Sequence, residues 1–231
     1  ILRDLSLLQI QMRDLQGFAE TRQSLLHLKP NNRNNWIAFA VSQHLNGSLD
    51  LAAKILEAYE STLDGVPPNE RYEHGEMILY KSEILEEDGK HQEALDNIEK
   101  NRAEVVDTLS ADETCARLLQ KIGNGTESEK QYRNLLKRNP DNHRYHNGIQ
   151  EALQLTTSKS EALSADQRTK LKGLYDDLIG ENKRSSAAQR IPLDFLQGEQ
   201  FLEAAEAYTY TRLKKGIPSL FADLSALYND T

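Results

Sequence analysis

The residues of this chain that could do chemistry include a glycine-rich loop, Gln120-Lys-Ile-Gly123-Asn-Gly125. The loop fits the Q/R-x-x-G-x-G/A pattern with which acetyltransferases of the GNAT type hold the pyrophosphate of acetyl-CoA. Such glycines let backbone N–H groups approach a phosphate at the start of a helix, usually just after a strand. Here residues 113–122 have a helical pattern instead, and the 34-residue repeat described below accounts for Gly123. The sequence therefore favours a structural turn over acetyl-CoA binding.

Histidine and cysteine offer little more chemistry. His143 and His146 are three residues apart and could form half of a metal site on one helix face. Nothing in the same repeat completes that site, so solvated or capping histidines after Pro140 are the simpler interpretation. Cys115 is the single cysteine, which excludes an intrachain disulfide and favours a reducing compartment. No nearby histidine could activate it, and we predict no catalytic residue and no metal site.

Basic side chains occur in clusters although the net charge is −8. Each cluster could contact an anionic partner such as RNA or an inositol phosphate. Lysines and arginines in the last turn of a helix also interact favourably with its dipole, so a structural role explains at least the first cluster equally well. The clusters are Lys137-Arg138, Lys183-Arg184, Arg190 and Lys214-Lys215.

The composition limits the kind of protein. The 231 residues are 38% apolar and have a mean hydropathy of −0.67, as expected for an elongated molecule with much solvated surface. The sequence contains no hydrophobic run long enough to span a bilayer and no cleavable signal peptide. It also lacks an initiator methionine and starts inside an apolar periodic stretch, which predicts a piece of a longer protein.

A repeat provides the elements that must position these residues. Gly89-Lys-His-Gln-Glu-Ala94 and Gly123-Asn-Gly-Thr-Glu-Ser128 each place a glycine five positions before a small residue, and the copies are 34 residues apart. Ile98 and Tyr132 follow at the same offset of four. A 34-residue period with a glycine turn and a small residue is typical of tetratricopeptide helix pairs. The small side chain lets the second helix lie close to the first.

The clearest single repeat covers residues 36–59. Its first helix carries apolar residues at helical spacing, and Asn46-Gly47-Ser48 forms the turn to the second. Over the whole chain, the residues that we expect to pack between paired helices are Trp36, Phe39, Ala40, Ala52, Leu56, Ala94, Ile98, Ser128, Tyr132, Phe201, Ala204 and Tyr208.

The same pattern divides the rest of the chain. Residues 1–30 read as a variant pair whose second helix should be short, because Pro30 follows Phe18 by only twelve residues. We expect one solenoid segment over residues 1–231, with regular repeats in 1–155, a divergent connection and helix in 156–190, and a further repeat in 191–231. Within it, 156–164 and 180–189 read as loops, Ser164 and Gln167 as a capping box, and Tyr228 as part of a last helix.

No segment shows convincing strand alternation. The predicted fold class is all-α: a right-handed superhelical solenoid of tetratricopeptide-like helix pairs. Such a solenoid presents a concave surface that holds other macromolecules.

Several segments resemble one family beyond the generic repeat. That family is the large auxiliary subunit of the N-terminal acetyltransferase A complex, and the similarity covers essentially the whole chain. The segments are Ile1-Leu-Arg-Asp-Leu-Ser-Leu-Leu-Gln-Ile-Gln-Met-Arg-Asp-Leu15, Leu25-Leu-His-Leu-Lys-Pro30, Trp36-Ile37, Ala52-Ala-Lys-Ile-Leu56, Arg138-Asn-Pro140, Pro192-Leu-Asp-Phe-Leu-Gln-Gly-Glu199 and Lys214-Lys-Gly-Ile-Pro-Ser-Leu-Phe221.

The resemblance implies a non-catalytic, cytoplasmic scaffold. Members of this family wrap a small GNAT-type catalytic subunit, tune its active site for cotranslational N-terminal acetylation, and help to dock it on ribosomes near nascent chains. Acetyl-CoA is then expected on the partner subunit and not on this chain. Family members also bind inositol hexakisphosphate in the complex, for which Lys214 and Lys215 are candidates here. Neither a membrane nor DNA is expected as a partner.

Two other classes of function stay open at this point. A generic tetratricopeptide adaptor would bind peptides, usually through a clustered Lys/Asn/Arg clamp, and the repeats show no such set at matching positions. An enzyme in its own right would have to bind acetyl-CoA through Gln120–Gly125.

Overall fold

The structure is a computed structural model that describes residues 1–155 and 163–225. Every regular element in these ranges is helical, which confirms the all-α prediction. By its internal contacts the chain divides into two compact units, unit 1 (Ile1–Gly123) and unit 2 (Asn124–Thr231). The division expected at residues 155 and 190 stays a prediction.

Unit 1 is described throughout and consists of helices that contact mainly their neighbours in sequence. A short 3₁₀ turn, Pro68–Glu70, precedes the fifth helix. The helices are α1 (Leu2–Gln11), α2 (Leu15–Leu28), α3 (Arg33–Leu45), α4 (Leu49–Glu60), α5 (Arg71–Glu87), α6 (His91–Lys100) and α7 (Thr108–Ile122).

Left-handed residues form the tight turns between paired helices. Gly47 and Gly89 have φ values of 80° and 77° after α3 and α5, a conformation that glycine adopts without steric cost. Arg13 adopts the same left-handed conformation after α1, with φ 57°. This turn ends before Leu15, where α2 begins, and α2 continues to Leu28 over 14 residues. The prediction of a short second helix before Pro30 is therefore wrong.

Small and apolar residues fill the space between paired helices of unit 1. Ala52 and Ala94 are fully buried, as are Leu56 and Ile98. The hydroxyl of Ser82 on α5 donates to the Ala94 carbonyl at 3.1 Å, so these two backbones approach closely. Close approach explains why a small residue occupies this position.

Aromatic packing completes the 36–59 pair. The Trp36 ring lies 5.9 Å from the Tyr59 ring, and its Nε1–H donates to the Pro30 carbonyl at 2.7 Å. Phe39 and Ala40 are buried on the same helix.

Helix α5 is buried on more than one side and carries polar residues that pair across the unit. Lys81 donates to Glu60 at 2.7 Å, and His74 is 2.7 Å from Glu104. Glu86 is only 8% exposed as a side chain and pairs with Arg117 of α7. A buried charge needs such a partner, because desolvation otherwise costs several kcal/mol.

Unit 2 continues with further helices in its described residues, 124–155 and 163–225. A 3₁₀ turn, Ile191–Asp194, follows the fourth of them. The helices are α8 (Gly125–Arg138), α9 (His143–Ala152), α10 (Ala165–Glu181), α11 (Ser186–Arg190), α12 (Gly198–Lys215) and α13 (Leu220–Ser225).

Helices α8 and α9 meet at a glycine. A Cβ on Gly148 would lie 2.4 Å from the Tyr132 ring, so only glycine leaves room for that ring. Ser128, on the same helix as Tyr132, is fully buried. Gly125, at the start of α8, likewise approaches the carbonyl of Ala152, the last residue of α9, since a Cβ there would lie 2.5 Å from that oxygen.

The second half of unit 2 departs partly from the sequence prediction. The capping box of Ser164 and Gln167 opens α10 as expected. The loop predicted over 180–189 is wrong in extent, because α10 reaches Glu181 and α11 starts at Ser186. Ser185 caps α11 and ties it to the Pro140 carbonyl at 2.9 Å, a contact between distant residues that composition does not reveal.

The last predicted repeat contains one long helix. Phe201, Ala204 and Tyr208 lie on one face of α12, where they form a cluster with Leu193 and Leu220. The short α11 and the 3₁₀ turn stand where a full first helix would be. Residues 156–162 of the predicted polar connection and Tyr228 lie outside the described residues.

Candidate interaction surfaces

A groove on unit 1 is formed by the first helices of successive pairs, α3, α5 and α7. We call it the α5 groove. Its volume is about 690 Å³, and partly exposed apolar side chains form its floor, among them Ile37, Val41 and Tyr80. Ser110 and Thr114 of α7 line the opposite wall with small hydroxyl groups. The groove therefore offers apolar surface to a partner.

Carboxylates line the α5 side of this groove. Glu73, Glu76 and Glu83 all lie along it and are exposed. Glu73 is 3.7 Å from Arg33, whereas neither Glu76 nor Glu83 has an ion pair in the part of the chain that is described. The groove also contains Arg117, but that guanidinium pairs with Glu86 at 2.7 Å. The groove is therefore acidic.

A hydrogen-bonded triad includes Tyr80, one of the residues that line the groove. The Tyr80 hydroxyl lies 2.7 Å from His44 Nδ1, and His44 Nε2 lies 2.8 Å from a Glu87 carboxylate oxygen. This order of groups resembles a nucleophile, base and acid. Burial, however, raises the pKa of Tyr80 to about 12, so the phenol stays protonated at neutral pH. Because His44 lies on α3 and both Tyr80 and Glu87 lie on α5, the triad links these two helices.

The glycine-rich loop is a turn between two helices. Gly123 ends α7 with φ 90°, and the Asn124 side chain accepts the Glu127 N–H at the start of α8. The element before Gly123 is a helix and not the strand that an acetyl-CoA loop would follow. This is the structural turn that the repeat predicts.

Neither Cys115 nor the histidine pair forms a reactive site. Burial raises the pKa of the Cys115 thiol to about 11, which keeps it protonated and unreactive. His146 is buried, its Nε2 lies 2.9 Å from the Pro140 carbonyl, and its ring stacks on Tyr175. His143 is 6.5 Å from the His146 ring, and the described residues contain no group of three side chains that could hold a metal.

The basic clusters of unit 2 differ in their accessibility. Lys214 and Lys215 are exposed in the last turn of α12. Arg212, in the same turn, lies buried over the Tyr208 ring, 3.4 Å from its centroid. Arg190 pairs with Asp194 and with Asp223 of α13. The lysine pair is thus available to an anion, whereas Arg190 is occupied.

The other two basic clusters differ in their position relative to the helices. Lys183 and Arg184 are exposed in the α10–α11 connection. Lys137 lies in the last turn of α8, where its charge interacts favourably with the helix dipole.

None of the helices in the described ranges combines the length and apolar character needed to cross a membrane.

The helix pairs and their glycine turns define a tetratricopeptide-like helical repeat protein. A solved tetratricopeptide repeat protein from Parabacteroides merdae has the same fold, with a TM-score of 0.55 and 16% identity over 99% of this chain and 83% of its own. The predicted fold class is confirmed.

The chain belongs to the family of auxiliary subunits of N-terminal acetyltransferase A, whose model matches residues 72–231. It is 57% identical over 231 residues to the N-terminal acetyltransferase A complex auxiliary subunit NAA15 of Arabidopsis thaliana, covering 99% of this chain and 26% of that protein. N-alpha-acetyltransferase 16, the NatA auxiliary subunit of Mus musculus, is 39% identical over 232 residues, covering 100% of this chain and 26% of the relative.

A solved structure of Naa15/Naa10 bound to HypK-THB contains a similar chain. The TM-score is 0.88 and the identity 41%, over 99% of this chain and 34% of that chain. This chain thus spans about a quarter of the length of its curated relatives. The resemblance stated from the sequence is confirmed at the level of the family.

Proposed function

We propose that this chain is part of a non-catalytic scaffold that binds and tunes a GNAT-type catalytic subunit for cotranslational N-terminal acetylation. The observation that carries the proposal is the TM-score of 0.88 to a chain of the Naa15/Naa10 structure over 99% of this chain. The side chains support it as well. Burial raises the pKa of the Cys115 thiol to about 11, so this thiol is not an activated nucleophile at neutral pH.

The finer parts of the proposal concern location and further partners. We propose that the complete protein works in the cytoplasm and helps to dock the catalytic subunit on ribosomes close to nascent chains. Acetyl-CoA would bind to the catalytic subunit. Inositol hexakisphosphate would be a ligand of the full complex, with Lys214 and Lys215 as candidate contacts because both ammonium groups are exposed.

A generic peptide adaptor is the weaker alternative. An adaptor for acidic peptide tails would need Lys, Asn or Arg side chains in its groove to hold a carboxylate. The α5 groove has Glu73, Glu76 and Glu83 instead, and these repel such a tail.

Co-purification tests the scaffold function. The full-length protein is expressed with a tagged catalytic subunit, and the eluate is analysed by size-exclusion chromatography. We expect a stable complex of equal stoichiometry that survives physiological salt. Separate elution of the two proteins would contradict the proposal, and the tag alone is the control.

Calorimetry tests the phosphate contact separately. Inositol hexakisphosphate is titrated into the purified complex, into a Lys214→Ala/Lys215→Ala variant, and into a Lys183→Ala/Arg184→Ala variant. Loss of two ammonium contacts should weaken binding by roughly tenfold or more. If only the second variant binds more weakly, the phosphate site lies elsewhere.

A further inference from the structure

We propose that the α5 groove binds a basic segment of a partner protein, one in which lysine or arginine recurs at every third residue with an aliphatic residue between. This goes beyond the proposed function, because it assigns a ligand chemistry to one surface of unit 1 whatever protein supplies the segment.

The shape of the groove suits a polypeptide segment. Its volume of about 690 Å³ is more than a single side chain needs, and it is open along α3, α5 and α7. The partly exposed floor of Ile37, Val41 and Tyr80 would be covered by aliphatic side chains of the segment. Removal of that apolar surface from water contributes a favourable free energy of binding of about 25 cal/mol per Å².

The carboxylates of the groove favour a positively charged partner. Glu76 and Glu83 are seven residues apart on α5, so they lie on one face about 10.5 Å apart along the axis. In a polyproline II helix, which has three residues per turn and a rise of about 3.1 Å per residue, side chains three residues apart lie on one face about 9.3 Å apart. Two cationic side chains at this spacing can therefore reach both carboxylates.

Arginines of unit 1 form ion pairs with the neighbouring carboxylates Glu73 and Glu86, but not with Glu76 or Glu83. Arg33 approaches Glu73, and Arg117 is held by the buried Glu86. Within the described residues Glu76 and Glu83 have no cationic partner. Nucleic acid, which is anionic, would be repelled here, so a basic protein segment is the class of ligand that fits.

A second groove in the same unit shows the contrast. Between α4 and α6, Asp50 is held by Lys54 at 2.6 Å and by Lys90 at 2.7 Å. Glu57 and Glu93 lie in that groove among lysines. Its charges are balanced within the unit, and it supplies the matched control positions.

Fluorescence anisotropy tests the proposal with the full-length protein. The probe is a labelled peptide of roughly 12 residues in which Lys-Leu-Ser is repeated, long enough to span the groove when extended. A peptide with glutamate in place of lysine is the control ligand. The variants are Glu76→Lys/Glu83→Lys and, at exposed positions in the control groove, Glu57→Lys/Glu93→Lys, which change the net charge equally.

We expect the lysine peptide to bind, and its binding to weaken at higher salt. Glu76→Lys/Glu83→Lys should weaken binding by roughly tenfold or more, whereas Glu57→Lys/Glu93→Lys should change it less than twofold. Circular dichroism verifies that all variants stay folded. Equal weakening by both pairs would reveal general attraction to an acidic protein and overturn the proposal, as would absence of binding or equal binding of the glutamate peptide.

Discussion

At the scale of single residues, the buried His146 makes stability depend on pH. Burial lowers the pKa of its imidazole from the ordinary 6.5, because desolvation disfavours the charged form more than the hydrogen bond to the Pro140 carbonyl favours it. Nδ1 has no partner within the described residues. The folded protein thus binds fewer protons than the unfolded chain just below pH 6.5. This imidazole therefore lowers the free energy of unfolding as the pH falls through 6.5, until the folded-state pKa is reached.

Urea denaturation at about pH 7.5 and about pH 5 measures this effect. His146→Gln keeps an N–H near the Pro140 carbonyl but does not titrate, so its stability should change less between the two pH values than that of the wild type. Each unit of pKa difference is worth about 1.4 kcal/mol. An identical pH dependence of the two proteins would show that His146 is not the group responsible.

Two turn residues allow a reciprocal test of backbone conformation. Arg13 is exposed with φ 57°, and Gly47 is exposed with φ 80°. A side chain in the left-handed region costs about 1–2 kcal/mol relative to the right-handed one. Arg13→Gly should therefore raise the free energy of unfolding by up to about 1 kcal/mol, and Gly47→Ala should lower it by about 1 kcal/mol. Thermal denaturation that moves both variants in the same direction would contradict the turn assignment.

At the scale of elements, the contact between α5 and α6 depends on Ala94. Its side chain is fully buried, and its carbonyl accepts the Ser82 hydroxyl at 3.1 Å. Ala94→Trp would overpack this contact and lower the free energy of unfolding by about 3 kcal/mol. The exposed neighbour Glu93 provides the control, because Glu93→Trp adds the same ring on the solvent side. Similar melting temperatures for the two variants would count against the helix pair.

The sequence predicted those elements whose determinants are local. The stripe that includes Phe39 and Ala40, the turn glycines and the capping box of Ser164 each follow from a few neighbouring residues, and the structure has them. Arg13 was missed because a non-glycine residue forms the turn there, which no residue-type rule predicts. Helix α11 was missed because its cap, Ser185, is fixed by a contact with Pro140, 45 residues away.

The α5 groove could not be predicted for a related reason. Helix α5 buries Lys81 and Glu86, whose partners are 21 and 31 residues away, so its polar pattern does not mark a solvent face. His44 and Tyr80 are 36 residues apart and meet only in the folded unit. The position of the lysine pair Lys214 and Lys215 on an exposed helix end agrees with the sequence pattern, but its ligand stays a prediction.

At the scale of the whole molecule, stability should be distributed along the chain. Helices of unit 1 contact mainly their neighbours in sequence, so a local defect should act locally. We expect Ala94→Trp to increase amide hydrogen exchange most in α5 and α6, less in the adjoining helices, and least in α12. Exchange that rises equally in every helix would indicate a single cooperative unit.

The proposed scaffold function predicts that another subunit carries out acetylation and that the complete protein supports it. The direct measurement is acetyl transfer from acetyl-CoA to a peptide with an N-terminal serine, using the full-length protein alone, the catalytic subunit alone, and both together. We predict no transfer by the protein alone and a rate increase of roughly tenfold when both are present, which corresponds to about 1.4 kcal/mol of transition-state stabilisation. Transfer by the protein alone, or a catalytic subunit whose rate is unaffected, would contradict the account.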